Sequence, residues 1–559
     1  MENPASMEGG NEDLRRPEGP TTTVDTDYVI GQDNIYPKVL GLKFDLHGSV
    51  FTISSLVILA FVLLTLALHD QVEPLLNGIR DWLTGNLTWF FILAGNIFVV
   101  VALALIVTPL GKIRIGGPDA KPDYSYAGWF AMLFAAGMGI GLVFYGVSEP
   151  MSHFSSSLAG TTVGESGLRT DWAPLGGAQG DQAAALSLGM AATIYHWGLH
   201  PWAAYALVAL SLAIFAYNKG LPLTMRSVFY PILGERVWGW PGHVIDILAV
   251  FSTLFGLATS LGFGAKQAAT GLNYLFDIPN NDASLVILIA GITAVALCSV
   301  MAGLDKGVQR LSMINMALAF LLLFFIIAVG PTLAIATGFF DNIVSYLEYI
   351  PALSMPFGRE DANYSQGWTA VYWAWWISWS PFVGMFIARV SRGRTVREFL
   401  ISVLLVPTLV SILWMTAFGG TAIEQLVSTG FTGVQDAALE LKLFEMLNQL
   451  PLAAITSSVG IVLVIVFFVT SSDSGSLVID SITAGGKMNA PKPQRIFWCI
   501  IEGAIAIALL LGGGLGGLQA ATVSTGLPFT LVLLIACYAI IKGLMSEPTE
   551  GRLVRRTRT

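Results

Sequence analysis

The sequence predicts an all-α integral membrane protein with twelve transmembrane helices. Three observations carry that prediction: an apolar composition, twelve separate apolar runs, and basic residues confined to alternate loops. Of 559 residues, 54% are hydrophobic and 12% charged, and the mean hydropathy is +0.68. A soluble domain carries about 25% charged residues. Disorder, collagen and a disulfide scaffold are excluded on the same grounds. A net charge of −8 and a pI near 5.3 argue against nucleic-acid binding. Cys298, Cys499 and Cys537 all sit inside apolar runs with no C-x-x-C spacing, so they read as small packing residues.

Taken in order, the candidate spans are 50–68, 88–109, 127–146, 183–216, 238–272, 284–303, 312–338, 368–389, 398–420, 452–472, 496–511 and 526–543. Each approaches the ~20 apolar residues a bilayer demands. The fourth and fifth exceed that length and should tilt or continue outside the membrane. Residues 1–49 read as a polar cytoplasmic tail with no signal-peptide pattern, so 50–68 is expected to be retained. Residues 50–109 would form two peripheral spans, and 544–559 a short tail. Residues 339–367 would be a periplasmic interfacial helix and loop, since DNIVSYLEYIPA alternates polar and apolar residues. The stretches 147–182 and 421–450 are the longest outer connectors.

With the N-terminus inside, the inner loops hold Lys112, Arg114, Lys121, Lys219, Arg226, Arg236, Lys306, Arg310, Arg389, Arg392, Arg394, Arg397, Lys487, Lys492 and Arg495. The outer loops hold Arg80, Arg169, Arg359 and Lys442, and the C-terminal tail carries Arg552, Arg555, Arg556 and Arg558. A missed or extra span would destroy this asymmetry, so both ends are expected in the cytoplasm.

Two spans carry unusual residues. Gly137-Met138-Gly139-Ile140-Gly141 sets three glycines within five positions of the third span. Gly137 and Gly141 suit close helix packing; the alternative is an unwound segment that turns backbone groups toward a ligand. The eighth span holds Tyr372, Trp373, Trp375, Trp376 and Trp379, and the fourth Trp197, Trp202 and Tyr205. An interfacial belt explains aromatics at span ends. Trp376 and Trp379 lie near mid-span, which favours an aromatic box for a quaternary ammonium group. No acidic residue falls within 127–146, 183–216 or 368–389. Backbone N–H groups at the glycine break would suit a carboxylate, so a zwitterion fits better than a bare cation.

The tenth span ends Phe467-Phe468-Val469-Thr470-Ser471-Ser472-Asp473. Its hydroxyls either bond back to their own helix or supply oxygen ligands to a small cation. His196 and His200 are four apart, but no third zinc ligand accompanies them. Lys266 reads as a snorkelling lysine or a gate residue. No phosphate-binding loop and no acid–base or nucleophile constellation is present, so nucleotide-driven pumping and catalysis are not expected.

Three segments carry a family resemblance: AAGMGIGLVFYGVSEP at 135–150, HWGLHPWAAYAL at 196–207 and YWAWWISWSPFVGMFIARVSRGRT at 372–395. Through them the chain resembles the betaine/choline/carnitine transporter family over nearly its whole membrane region. The resemblance implies a LeuT-like fold in which helices 3–7 (127–338) and 8–12 (368–543) form two inverted five-helix repeats. It also implies trimers and transport of trimethylammonium solutes. It places Trp197, Trp202, Tyr205 and Trp376 in the solute box, Trp375 and Trp379 on the cytoplasmic side of the pathway, and Met138 and Gly139 at the glycine-rich break. For a coupling sodium it implies Ala135, Met138, Phe467, Thr470 and Ser471. A second sodium site would use Thr253 and Phe382, but Leu257 stands where a second threonine belongs and cannot ligate sodium, so either that site is absent or Ser252, Thr259 or Ser260 replaces the threonine.

The expected function is sodium-coupled import of glycine betaine or dimethylsulfoniopropionate by alternating access in the bacterial cytoplasmic membrane. The alternative is proton-coupled or exchange transport of choline or carnitine; a solute receptor or channel is the competitor from another class.

Overall fold

The structure is a computed structural model that describes residues 17–548 other than Leu40, Met138, 303–308 and Met488. Met138, Lys306 and the four C-terminal arginines therefore lie outside the described residues. Helix 1 spans Gly48–Ala67 and helix 2 His69–Val107. Helix 3 is broken into Tyr126–Gly137 and Ile140–Ala159, with a bend of 65°. Helix 4 comprises Gln182–Trp197 and Leu199–Ala213. Helices 5 to 10 are Trp240–Phe276, Asp282–Ala302, Gln309–Val329, Val371–Val390, Val396–Thr429 and Ala453–Thr483. Lys492–Met545 runs for 54 residues, about 80 Å, which is two bilayer thicknesses. Non-helical Gly513 and Gly514 divide it into helices 11 and 12. Among the described residues nine helices, or ten with the bent helix 3 taken as one span, are long and apolar enough to cross a membrane, fewer than the twelve expected because Lys492–Met545 counts once and the tryptophan-rich helix 8 does not qualify.

Several boundaries differ from the sequence expectation. Helix 7 stops at Val329, not near 338, because Gly330-Pro331 ends it; Thr332–Leu353 then forms one continuous helix. Helix 2 begins at His69, since its polar first half is helical outside the apolar run. The connector expected at 512–525 is helix apart from the glycine pair. Gly512, Gly517 and Ala520 to Val523 within it are buried, and just past it a Cβ on Gly526 would lie 2.8 Å from the Ala374 carbonyl oxygen of helix 8. Close approach, not hydropathy, buries this stretch. The expected tail includes two short hairpin pairings, Asn34–Ile35 with Leu46–His47 and Lys38–Val39 with Leu42–Lys43.

Helices 4 and 5 form the centre, with 94% and 78% of their most apolar windows buried; helices 1, 2, 6 and 7 are only 28–39% buried and face lipid. Packing repeats between the two halves. Helix 4 packs on helix 8 as helix 9 packs on helix 3, and helix 5 packs on the 11–12 pair as helix 10 packs on helices 6 and 7. Helices 5 and 10 also pack on each other.

The N-terminal segment ties alternate loops to one face. Glu18 N–H donates to Gly116 O at 2.8 Å and Val24 N–H to Lys219 O at 3.1 Å. Glu18 pairs with Arg392 at 2.6 Å and Asp45 with Lys487 at 2.7 Å. Thr22 Oγ1 donates to Ser546 O at 2.8 Å. Both ends of the described chain thus share a face.

Candidate functional site

The break in helix 3 is real and its glycines do two jobs. Gly139 is extended, with φ −159° and ψ 178°, and leads into the second segment. The first N–H groups of that segment lack the carbonyl partners of a continuous helix. Gly141 permits close approach: a Cβ there would sit 2.7 Å from Trp375 Cη2 and 2.9 Å from Trp197 Cη2. Close packing therefore holds at Gly141 and an unwound backbone at Gly139, two positions apart.

Helix 4 breaks at Gly198, just after Trp197. The freed backbone is recovered by side chains: Trp376 Nε1 donates to His196 O at 2.7 Å, and Leu199 N–H donates to the Tyr346 hydroxyl at 3.0 Å. The helix Thr332–Leu353 thus braces this break through Tyr346, and the break in turn holds Trp376.

The aromatic residues converge. Trp197 meets Trp376 edge-on, with ring centroids 4.8 Å apart, and Trp376 stacks on Trp375 at 4.6 Å. Trp202 and Tyr205 meet edge-on at 5.2 Å. Together with Trp379, Gly139 and Gly141 these residues line a cavity of about 30 Å³, room for two or three waters. Tyr205 Oη and Trp379 Nε1 are buried with no hydrogen-bond partner among the described residues. A second cavity of about 360 Å³ lies toward the face opposite the termini, lined by Trp172, Asn363, Trp368, Tyr372 and Trp375 among others. Trp375 lines both cavities, so it stands between them rather than only on the terminal side.

The loop over this vestibule is folded on itself. Asp171 accepts from Arg169 at 2.6 Å and from Thr162 N–H and Ala173 N–H at 2.7 and 3.1 Å. Burial opposes its ionisation, but these bonds prevail and hold its carboxyl at about 2.

One residue escaped the sequence reading. Helix 3 continues to Ala159, so Glu149 lies inside it, three residues beyond the apolar run. It is fully buried. Its Oε2 accepts from Trp197 Nε1 at 2.7 Å and the Tyr372 hydroxyl at 2.5 Å. Its Oε1 lies 2.6 Å from His196 Nδ1 and 3.2 Å from His153 Nε2. The signal was the acid itself, in SEP at 148–150. His196 and His200 do not share a site: His200 Nε2 meets Asn96 Oδ1 at 3.1 Å.

The residues implied for sodium are less concentrated. Thr470 Oγ1 donates to Val466 O and Phe467 O of its own helix at 3.0 and 3.2 Å, and Ser471 is buried nearby. Ala135 is in the first segment of helix 3, which packs on helices 8 and 9; the second segment packs on helix 10. Thr253 Oγ1 donates to Ala249 O at 2.7 Å, and Phe382 packs edge-on against Trp379 at 5.4 Å. Buried Leu257 presses against Gly475.

Residues 49–549 match the betaine/carnitine/choline family transporters. The chain is 68% identical to a glycine betaine/proline/choline transporter of Vibrio parahaemolyticus, over 96% of this chain and 97% of that one. It is 52% identical to glycine betaine transporter 1 of the same organism, over 93% and 97%. A glycine betaine transporter of Acinetobacter baylyi is 40% identical over 92% of this chain and 76% of that one. A match along nine-tenths of the chain, with the aromatic cavity at its centre, makes this chain a member of the betaine/carnitine/choline transporter family.

Proposed function

We propose that the chain is a secondary transporter importing a zwitterionic methylated solute, glycine betaine first and dimethylsulfoniopropionate second. The carrying observation is the cavity walled by Trp197, Trp202, Tyr205, Trp376 and Trp379. Its ring faces suit an onium head, because cation–π attraction asks for no hydrogen bond. The orphan donors on Tyr205 and Trp379, with the N-terminal end of the second segment of helix 3, suit the carboxylate. The names of the relatives point the same way.

Transport would proceed by alternating access. Solute collects in the vestibule, passes Trp375 into the cavity, and the helix 3 and helix 8 unit rocks to open the terminal face. Sodium is the proposed coupling ion, held between helices 3 and 10 by carbonyls of Ala135, Met138 and Phe467 and hydroxyls of Thr470 and Ser471. The Thr470 hydroxyl gives its proton to its own helix, which leaves its oxygen lone pairs free for the cation. A site at Thr253 and Phe382 is a weaker proposal because of Leu257. We place both termini in the cytoplasm of a bacterial cell, on the basis of loop charge, and take the trimer from the family resemblance.

A choline cargo is the second reading, favoured by the buried carboxylate behind Trp197. The test is uptake of labelled glycine betaine into proteoliposomes under an inward sodium gradient, then with potassium replacing sodium. Sodium-dependent uptake with trans-stimulation supports the proposal. Equal uptake in potassium removes sodium, and stronger competition by choline than by betaine moves the cargo to choline.

A further inference from the structure

Glu149 has no role in the scheme above, yet its surroundings tie it to the solute cavity. Trp197 N–H is a donor only, so Glu149 Oε2 accepts from it. The Tyr372 hydroxyl reaches the same oxygen. On the other side, Thr369 Oγ1 lies 3.0 Å from His196 Nε2. With the Thr369 hydroxyl as donor there, His196 carries its proton on Nδ1 and gives it to Glu149 Oε1. His153 Nε2 completes the set. Four donors from helices 3, 4 and 8 thus converge on one carboxylate, which is how a buried anion is satisfied. Among the described residues no lysine or arginine forms an ion pair with it; its charged-group neighbours are the two histidines.

That negative charge has one clear outlet. The Trp197 indole bonds the carboxylate through its N–H and walls the solute cavity with its ring. An indole whose N–H donates to an anion gains electron density in the ring, and its face attracts a cation more strongly. We propose that Glu149 is the counter-charge of the aromatic cavity, a positioning residue that acts through Trp197 to favour an onium head over a neutral head of the same shape. The proposal rests on the reading that this cavity receives the solute. It also supplies the anion that the stretches 127–146, 183–216 and 368–389 lack.

Glu149→Gln removes the charge and keeps the shape. The amide oxygen still accepts from Trp197, and its NH2 faces His196, which accepts by moving its proton to Nε2 toward Thr369. The probes are glycine betaine and 3,3-dimethylbutanoate, its carbon isostere with a neutral tert-butyl head. Inhibition constants for both are measured against labelled glycine betaine binding to purified wild type and Glu149→Gln. We expect betaine to weaken on the order of tenfold and the isostere by less than about twofold, a difference that loss of folding or packing would not produce. Equal weakening of both, or of neither, overturns the proposal. If Glu149→Gln is not recovered from membranes, Trp197→Phe keeps a ring without the N–H, and the same selective loss is required of it. A wild type that binds the isostere as tightly as betaine overturns the counter-charge and leaves transport standing. A wild type that neither binds nor takes up betaine overturns both.

Discussion

The indole of Trp375 lies stacked on that of Trp376, centroids 4.6 Å apart and planes 12° from parallel, and it borders both the vestibule and the inner cavity. Trp375 Nε1 donates to Ser260 Oγ of helix 5 at 3.2 Å, so one bond to the central helix sets its angle.

Trp376→Leu removes a cavity wall and the bond to His196 O. Loss of one desolvated cation–π contact predicts a rise in half-saturation concentration of roughly 10- to 30-fold. Uptake kinetics on protein of verified membrane insertion check this, and an unchanged value excludes Trp376 from the site.

Gly141→Ala and Gly139→Ala separate the two uses of the glycine run. A Cβ at 141 meets Trp375 and Trp197 under 3.0 Å, whereas at 139 the nearest atom is Trp379 Cη2 at 3.8 Å. Overpacking of about 1–3 kcal/mol at the junction of two box tryptophans should abolish most uptake for Gly141→Ala. Gly139→Ala should retain most of it. The reverse order contradicts the assignment of Gly141 to close packing.

Thr470→Ala should lower uptake in sodium while leaving the residual uptake in potassium unaltered. A sodium titration of both proteins decides it; proportional loss in both salts means the residue only supports helix 10.

Asp171 holds the loop at 160–181 through ionised contacts. Its folded value near 2 lies below the unfolded value of about 3.9, so its contribution is complete above about pH 4 and lost as pH falls through 2. Hydrogen exchange of the loop should therefore be flat from pH 8 to 5 after correction for intrinsic rate. Asp171→Asn should accelerate it even at pH 7. Equal protection in both proteins would show that the backbone alone holds the loop.

Most of the long helices were legible because lipid imposes length and apolarity on each spanning helix. Helix 12 was misjudged at its start because Leu515 to Gly526 is buried by small residues in close contact, which hydropathy does not register. The convergence of Trp197, Trp202, Tyr205 and Trp376 was legible from mid-span aromatics. Glu149 was not, because its donors arrive from Tyr372 and His196 on other helices, and one chain's spacing does not reveal such pairings. The bond from Thr470 to its own helix was one of two readings the hydroxyl run allowed.

The most direct measurement is equilibrium binding of labelled glycine betaine to the purified protein and to Trp376→Leu, with thermal stability recorded for both. The account predicts saturable binding to the wild type and at least about tenfold weaker binding to an equally stable variant. Equal affinity in the two would contradict the aromatic cavity as the solute site.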